Sequence, residues 1–170
     1  VKAAPVLWDQ AALAAGRPVR AVVVNAGIAN AATGSRGLQL CRNTAEAAGK
    51  ALGVPPESVL LGSTGVIGPQ LPLEKLTAGI HTMAGTLSSL PEAGTAASRA
   101  IMTTDTVNKE AAVSFELPSA SGEGAVPVRL GGMSKGSGMI HPNMCTMLAY
   151  LTTDCAIAPA LAQKALREVV

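Results

Sequence analysis

The chain has 170 residues, 48% of them hydrophobic and 14% charged, so it can bury a sizeable core, and its length suits one domain. The formal net charge is only +2, no Lys/Arg cluster is visible, and the chain has one Trp, one Tyr and one Phe, which argues against nucleic-acid binding. No apolar run approaches the length of a membrane span.

The three cysteines, Cys41, Cys145 and Cys155, are an odd number without CxxC spacing. This pattern predicts neither a disulfide framework nor a zinc site, and reduced thiols in the cytosol are the simplest interpretation. We expect no metal ion. The chain starts at Val1 without a Met and stops at Val170 without a terminal signal, so we expect a fragment of a longer protein.

The first half of the chain alternates predicted strands and helices. Val19–Asn25 is a nearly continuous apolar run that predicts a strand buried on both faces. Ile28–Gly34 is small and polar and predicts a loop. Gly37–Leu52 has apolar residues at helical spacing, which predicts an amphipathic helix that ends at Gly53.

The same pattern then repeats. Ser58–Leu61 predicts a short buried strand that leads into a glycine-rich turn, Gly62–Gly68, and Pro72–Leu87 predicts a second helix. The tripeptides Asn25-Ala26-Gly27 and Ser63-Thr64-Gly65 therefore occupy the same place, the C-terminal end of a buried strand. In α/β sheets, ligands are usually bound by loops at that end.

The second half has a different character. Lys109–Leu117 and Val126–Leu130 alternate as half-exposed strands do and flank the turn Ser119–Gly124, so they predict a β-hairpin. A glycine-rich loop, a buried strand and a final helix that starts at Pro159 follow; the first two are predicted at Gly131–Asn143 and Thr146–Thr152. We therefore predict an α+β or α/β layered fold, with residues 1–170 as one domain segment.

Four glycine-rich or polar clusters lie at predicted strand ends, at residues 25–34, 63–68, 103–109 and 131–146. Each taken singly is more often a structural turn than a binding site. Likewise, a lysine between glycines, such as Lys135, is more often a solvated charge, and a threonine that opens a strand, such as Thr146, is often simply a good β-former.

Longer motifs favour a functional interpretation of these residues over a structural one. The segments NAGIANAATG, STGVIG, IMTTDT and GGMSKGSGMIHPNMCTMLAYLTTD, which begin at Asn25, Ser63, Ile101 and Gly131, resemble the ornithine acetyltransferase (bifunctional glutamate N-acetyltransferase) family in order and spacing. The resemblance covers nearly the whole chain. It implies a self-processing fold similar to that of N-terminal-nucleophile enzymes.

The resemblance assigns roles to six residues. It implies that the precursor cleaves itself between Cys145 and Thr146, and that the new N-terminal Thr146 is the nucleophile. The freed α-amino group, with a pKa of ~7.7–8.0, can then take the hydroxyl proton. Thr64 and Gly65 match the oxyanion donors of the family. Thr103 and Lys135 match substrate-binding positions, as does Thr146 itself.

The implied reaction is ping-pong transfer of an acetyl group from N2-acetylornithine to glutamate through an acetyl-Thr146 ester, in arginine biosynthesis. No cofactor is implied, although acetyl-CoA is an alternative donor in some members. The implied partners are the small-molecule substrates and the rest of the β-chain of the same precursor. Residues 1–145 would end the α-chain and residues 146–170 would begin the β-chain of a cytoplasmic heterotetramer, with two copies of each chain.

The sequence departs from the family in two ways. Cys145 stands where Ala is common before the cleavage point, and we interpret it as a small spacer, since neither His141 nor any other residue forms a cysteine-nucleophile pattern with it. The family's remaining catalytic residues follow Val170, so we expect residues 1–170 alone to be inactive. An N-terminal-nucleophile amidohydrolase or aminopeptidase and an unprocessed, non-catalytic paralogue stay open as alternatives.

Overall fold

A computed structural model describes residues 2–119, 121–138 and 147–170. Five α-helices and five strands alternate in part along the chain: α1 Ala4–Ala14, β1 Ala21–Ile28, α2 Gly34–Leu52, β2 Val59–Val66, α3 Leu73–Ala84, α4 Pro91–Ala100, β3 Lys109–Pro118, β4 Ala125–Ser134, β5 Ala149–Thr153 and α5 Pro159–Val169. A short 3-10 helix, Pro56–Ser58, precedes β2. The mixed α+β fold predicted from the sequence is confirmed.

The chain forms two compact units. The first contains Val1–Asn108 and Lys135–Leu148, and the second contains Lys109–Ser134 and Ala149–Val170. The predicted division into α-chain and β-chain parts at Cys145–Thr146 stays a prediction. Within the described residues, no helix combines the length and the apolar character needed to cross a membrane.

The first unit is built on a two-stranded parallel sheet. β1 pairs with β2 in register, from Ala21 opposite Val59 to Ile28 opposite Val66. Helices α1 and α2 contact β2 and each other, and α3 contacts α2. Their apolar side chains meet the strands in one core, whose buried members are Ala4, Cys41, Ala45, Ala48, Val59, Leu61 and Ile80. Small alanines on α2 allow close packing, which suits a chain with few aromatic residues.

Helix α1 supplies polar side chains to β2. The indole Nε1 of Trp8 donates a 2.9 Å hydrogen bond to the Val59 carbonyl, and Asp9 Oδ1 accepts one of 2.9 Å from the Leu61 N–H. Burial raises the pKa of the Asp9 carboxyl to about 6, although the Leu61 N–H opposes the shift. Side chains of α1 thus satisfy backbone groups that a third strand would otherwise pair.

Several predicted boundaries were correct. The helix that ends at Gly53 is confirmed, and Gly53 has the left-handed φ of +67° expected of a glycine C-cap. The predicted second helix is present but shorter, at Leu73–Ala84. The hairpin at β3 and β4 and the helix that starts at Pro159 are also confirmed.

Other predicted boundaries were wrong. β1 extends to Ile28 and β2 to Val66, so most of the predicted glycine turn at Gly62–Gly68 is strand. β1 is partly exposed rather than buried on both faces. Helices α1 and α4 were not predicted; the apolar residues of α1 follow no clear helical period, and α4 is made mostly of small residues.

The second unit contains the antiparallel sheet β3-β4-β5 and helix α5. β4 extends through Ser134, so the first four residues of the predicted glycine-rich loop are strand. β5 was predicted to be buried, but four of its five residues are exposed. Among the described residues of this unit, Val128 is the only buried apolar residue. The alternation of apolar and polar residues in β3 and β4 therefore predicted the hairpin correctly but did not indicate a buried face.

The raised pKa of Asp9 predicts a pH dependence of stability. Folded Asp9 holds its proton up to about pH 6, whereas the unfolded carboxyl has a pKa of ~3.9, so the folded state binds more protons between these values. The free energy of unfolding should therefore decrease as pH rises through this window, with a contribution from Asp9 of about 1–3 kcal/mol. Urea unfolding at stepwise pH values measures this decrease.

Asp9→Asn is the matched variant, because its amide oxygen can still accept from the Leu61 N–H. The variant should lose less stability than the wild type between pH 4 and pH 7. Glu46→Gln, at an exposed position of α2, controls for a carboxyl-to-amide change. Equal pH slopes for the wild type and Asp9→Asn would contradict the prediction.

Candidate active site

The two strand-end motifs lie side by side in the first unit. Asn25 pairs with Ser63, Ala26 with Thr64, and Gly27 with Gly65 along the parallel strands. The prediction that both tripeptides occupy equivalent positions is thus consistent with the register. Thr64 is half-buried and Gly65 is exposed, and these two predicted oxyanion donors are consecutive residues near the end of β2.

The paired glycines let the two backbones approach closely. Gly27 has a φ of +114° and Gly65 a φ of +132°, values that L side chains rarely adopt. A Cβ at Gly65 would collide with the carbonyl carbon and oxygen of Gly27. Position 65 therefore requires glycine for two independent reasons, its dihedral angle and its neighbour.

The hydroxyl of Ser63 connects the ends of both strands. Ser63 Oγ accepts a 2.8 Å hydrogen bond from the Asn30 N–H and donates one of 3.2 Å to the Ile28 carbonyl. The Asn25 side chain donates to the same carbonyl at 2.7 Å, and the Ala29 N–H donates to the Val66 carbonyl at 2.9 Å. These bonds fix the backbone immediately before and after Thr64 and Gly65.

Asn30 anchors this network in the core. Its residue surface is 3% exposed, and its Nδ2 donates to the Gly37 carbonyl at 3.0 Å and to Cys41 Sγ at 3.3 Å. Thr33 Oγ1 donates to Asn30 Oδ1 at 2.6 Å. Burial, and then the charge of Asp9, raise the pKa of the Cys41 thiol to about 11, so Cys41 is a packing residue and not a thiolate.

A small cavity adjoins these polar groups. Its volume is about 20 Å³, which suits one water molecule. The polar residues that line it are Asn25, Asn30, Thr44 and Ser63, together with Cys41. A cavity of this volume has no room for an amino-acid substrate.

Lys135 and Thr103, both predicted to bind substrate, meet at Asp105. Lys135 Nζ lies 3.7 Å from Asp105 Oδ1, and the Thr103 N–H donates to Asp105 Oδ2 at 3.4 Å. The Lys135 side chain is 10% exposed and that of Asp105 is 1% exposed, so this ion pair is largely removed from water. Lys135 is thus not the solvated surface charge that spacing alone favoured.

The loop that contains Lys135 is also fixed through its backbone. The Lys135 N–H donates to the Leu148 carbonyl at 2.9 Å, and Leu148 follows Thr146 by two residues in the sequence. The Gly138 N–H donates to Thr104 Oγ1 at 3.1 Å, and a Cβ at Gly138 would collide with the Thr104 carbonyl oxygen. The segment 135–138 therefore contacts both the Thr103–Asp105 segment and Leu148.

The predicted nucleophile and cleavage site, Thr146 and Cys145, lie outside the described residues, as does His141. The structure therefore gives two local groups of predicted site residues, Thr64 with Gly65 on β2 and Thr103 with Lys135 around Asp105. Among the described residues, no group of three or more His, Cys, Asp and Glu side chains could hold a metal ion.

Sequence reasoning missed three supporting residues, Asn30, Ser63 and Asp105. Each lies inside a motif that was recognised, but neither its burial nor its partners could be deduced from spacing. A signal was present for Asp105, because it is the sole charged residue between Arg99 and Lys109. An isolated carboxylate in such a segment predicts a cationic partner elsewhere in the chain.

The fold is similar to those of two solved structures. One is arginine biosynthesis bifunctional protein ArgJ from Bacillus halodurans, with a TM-score of 0.72 and 38% identity over 87% of this chain and 72% of that one. Another is ornithine acetyltransferase from Mycobacterium tuberculosis in complex with ornithine, with a TM-score of 0.70 and 40% identity over 87% of this chain and 72% of that one.

Sequence comparison agrees with the structural one. The chain is 48% identical over 168 residues to the arginine biosynthesis bifunctional protein ArgJ of Symbiobacterium thermophilum, and 48% identical over 158 residues to the chloroplastic ArgJ of Oryza sativa subsp. indica. These alignments cover 99% and 93% of this chain but only 40% and 33% of the relatives. The sequence model of the ArgJ family matches residues 1–170, and the chain belongs to this family.

The packing of Gly65 yields a stability prediction. Gly65→Ala adds a methyl group against the Gly27 backbone at a positive φ, and should destabilise the protein by about 1–3 kcal/mol more than Gly68→Ala. Gly68 is the matched control because its φ is also positive, +123°, but a Cβ added there would have no atom within 4 Å. Urea unfolding of both variants measures the difference, and equal destabilisation would refute the close approach.

Proposed function

We propose that the full-length protein is a self-cleaving acetyltransferase that moves an acetyl group from N2-acetylornithine to glutamate through an acetyl-Thr146 intermediate, in arginine biosynthesis. The observation that carries this proposal is the geometry of the Ser63-Thr64-Gly65 motif, in which the half-buried Thr64 and the exposed Gly65 are consecutive residues at the end of a braced strand. Membership of the ArgJ family and the likeness to an ornithine-bound acetyltransferase support the choice of substrates.

The nucleophile is the hydroxyl of Thr146, freed by cleavage of the Cys145–Thr146 bond. A threonine hydroxyl attacks poorly until a base removes its proton, and the new α-amino group of the same residue can act as that base. Attack of the hydroxyl on the preceding carbonyl starts the cleavage through an N→O acyl shift. The small side chain of Cys145 suits this step.

Thr64 and Gly65 stabilise the oxyanion that forms when Thr146 attacks the acetyl carbonyl. Such donors act best when they are held in place before the reaction, because no energy is then spent on orienting them. The bonds of Ser63 Oγ to Asn30 and Ile28 hold the strand on the side before Thr64, and the paired Gly27 supports Gly65. This bracing supports an assignment of Thr64 and Gly65 as preorganised donors.

Lys135 and Thr103 bind substrate. N-acetylornithine and glutamate both carry carboxylates, and a fixed ammonium such as that of Lys135 is a suitable partner for them. The positive charge also helps to keep the amino group of Thr146 neutral. The transfer is ping-pong: ornithine leaves after the first half-reaction, and the glutamate amine attacks the acetyl-Thr146 ester in the second.

We further propose that the processed α- and β-chains assemble in the cytoplasm as a heterotetramer with two copies of each. The reaction needs no metal or prosthetic group, because acyl transfer to threonine uses only a base and oxyanion donors. Acetyl-CoA can supply the acetyl group in place of N-acetylornithine without changing the second half-reaction.

Intact-mass measurement under denaturing conditions tests the cleavage. The full-length wild type should give two fragments that meet between Cys145 and Thr146, and Thr146→Ala should give one uncut chain because it lacks the hydroxyl. Thr146→Ser is the matched control, since it keeps a hydroxyl and should still cut. A single uncut wild-type chain would favour the non-catalytic alternative.

The same preparations test the transfer. Wild type incubated with N-acetylornithine and glutamate should form N-acetylglutamate and ornithine in equal amounts, and glutamate should be needed for more than one turnover. Net release of acetate without transfer to glutamate would instead favour the amidohydrolase alternative. Thr146→Ala should be inactive with either acetyl donor.

The oxyanion role of Thr64 gives a kinetic prediction. Thr64→Ala should lower kcat by about 10²–10³-fold with a small effect on KM, because the lost hydroxyl would stabilise the oxyanion only in the transition state. Thr64→Ser keeps a hydroxyl at this position of β2 and should retain most of the activity. An equal loss of kcat in both variants would point to a packing role for Thr64.

A further inference from the structure

Asp105 is a buried carboxylate whose burial the proposed reaction leaves unexplained. Its side chain is 1% exposed. Oδ2 accepts one long hydrogen bond, 3.4 Å, from the Thr103 N–H, and Oδ1 has no hydrogen-bond partner among the described residues. A carboxylate removed from water needs a nearby positive charge or several donors. The Lys135 ammonium, 3.7 Å from Oδ1, is that charge.

Lys135 has two short-range restraints on its ammonium. Nζ donates a 2.8 Å hydrogen bond to the Gly136 carbonyl and faces Asp105 Oδ1. A lysine side chain has four rotatable bonds and samples many rotamers when it is free. The side chain is 10% exposed, and with the Gly136 carbonyl and the Asp105 carboxylate both close to Nζ the ammonium is restricted to a small region.

Asp105 also contacts the other predicted substrate-binding segment. Through Oδ2 it accepts from the backbone of Thr103, and the next residue, Thr104, accepts from the Gly138 N–H. The Asp105–Lys135 ion pair and the Gly138–Thr104 hydrogen bond therefore join the segments 103–105 and 135–138, which are distant in sequence. Both segments and these contacts belong to the first compact unit.

We propose that Asp105 is a positioning residue that sets the place of the Lys135 ammonium and, through it, the recognition of the substrate carboxylate. The carboxylate acts through Lys135 and does not touch substrate, because its side chain is buried. The inference rests on the proposed function only for what Lys135 binds. The position of the ammonium itself can be tested without any assay of activity.

Steady-state kinetics of the full-length, processed enzyme form the first test. Asp105→Asn keeps the shape and removes the charge, and it should raise KM for N-acetylornithine by roughly tenfold, the scale of one charge-assisted contact, with a smaller change in kcat. Lys135→Met should also raise KM. In the Lys135→Met background, Asp105→Asn should add less than about twofold, because its effect passes through the missing ammonium. If Asp105→Asn raises KM in the Lys135→Met background as much as it does in the wild type, the proposal is overturned.

A matched control distinguishes the general effect of removing a negative charge from the specific effect of Asp105 on the position of the Lys135 ammonium. Glu57 forms an exposed ion pair with Arg17 at 3.6 Å in the same unit. Glu57→Gln should leave both KM and kcat unchanged, since an exposed pair in high dielectric contributes little. A rise in KM in this variant equal to that of Asp105→Asn would show a general electrostatic effect and would overturn the specific role of Asp105.

Chemical modification of Lys135 provides a readout that is independent of acetyl transfer. Reductive methylation with formaldehyde, followed by peptide mass spectrometry, should label Lys135 several-fold faster in Asp105→Asn than in the wild type. Lys75, exposed on α3, is the internal reference and should label equally in both proteins. A wild type that transfers no acetyl group would refute the proposed function, whereas the Lys135 labelling ratio would still decide the role of Asp105.

Misfolding of Asp105→Asn would also be informative. A buried cation that has lost its partner destabilises a fold, and removing both charges restores balance. In that case the Asp105→Asn, Lys135→Met double variant should fold, as judged by thermal unfolding, while the single variant does not. A double variant that is as unstable as the single one would show that Asp105 acts independently of Lys135, which overturns the proposal.

Discussion

A two-stranded parallel sheet must satisfy the backbone groups along its outer edges, and the first compact unit depends on how this is done. Val59 and Leu61 are two residues apart on β2, so their backbone N–H and C=O groups point to the same edge of the sheet. There Trp8 donates to the Val59 carbonyl and Asp9 accepts from the Leu61 N–H, so helix α1 takes the place of a third strand. The same helix places Ala4 in the core and Trp8 against it.

At the other end of the sheet, the same requirement shapes the candidate site. Ser63 Oγ both accepts and donates, and thereby fixes the backbone where the chain leaves β1 and where β2 approaches Thr64. The pair of glycines, Gly27 and Gly65, lets the strands continue side by side with positive φ angles. Side chains that perform no chemistry thus decide where the predicted oxyanion donors lie, and this explains why the motifs extend beyond the residues that would react.

The sequence predicted the elements whose signals are local. The amphipathic period of α2 with Gly53 at its end, the alternation of β3 and β4, and Pro159 at the start of α5 were each sufficient. The ends of β1 and β2 were misplaced because glycine usually marks a turn, whereas Gly27 and Gly65 are needed for the close approach of paired strands. Helix α1 was missed because its apolar residues follow no clear helical period.

The site residues also divide into those that the sequence identified and those that it did not. Thr64, Gly65, Thr103 and Lys135 could be selected from motifs, since a family resemblance transfers roles by position. The behaviour of the two carboxylates Asp9 and Asp105, of which Asp105 contacts Thr103 and Lys135, could not be predicted, because burial decides it. Burial raises the pKa of Asp9 to about 6, whereas Asp105 lies within 3.7 Å of an ammonium from a distant part of the chain. A buried charge costs free energy unless it is neutralised or paired, so burial shifts the pKa of Asp9 upward whereas Asp105 is paired with Lys135, and only the fold identifies these outcomes. A buried, paired carboxylate such as Asp105 therefore indicates which functional group it holds in place, here the Lys135 ammonium.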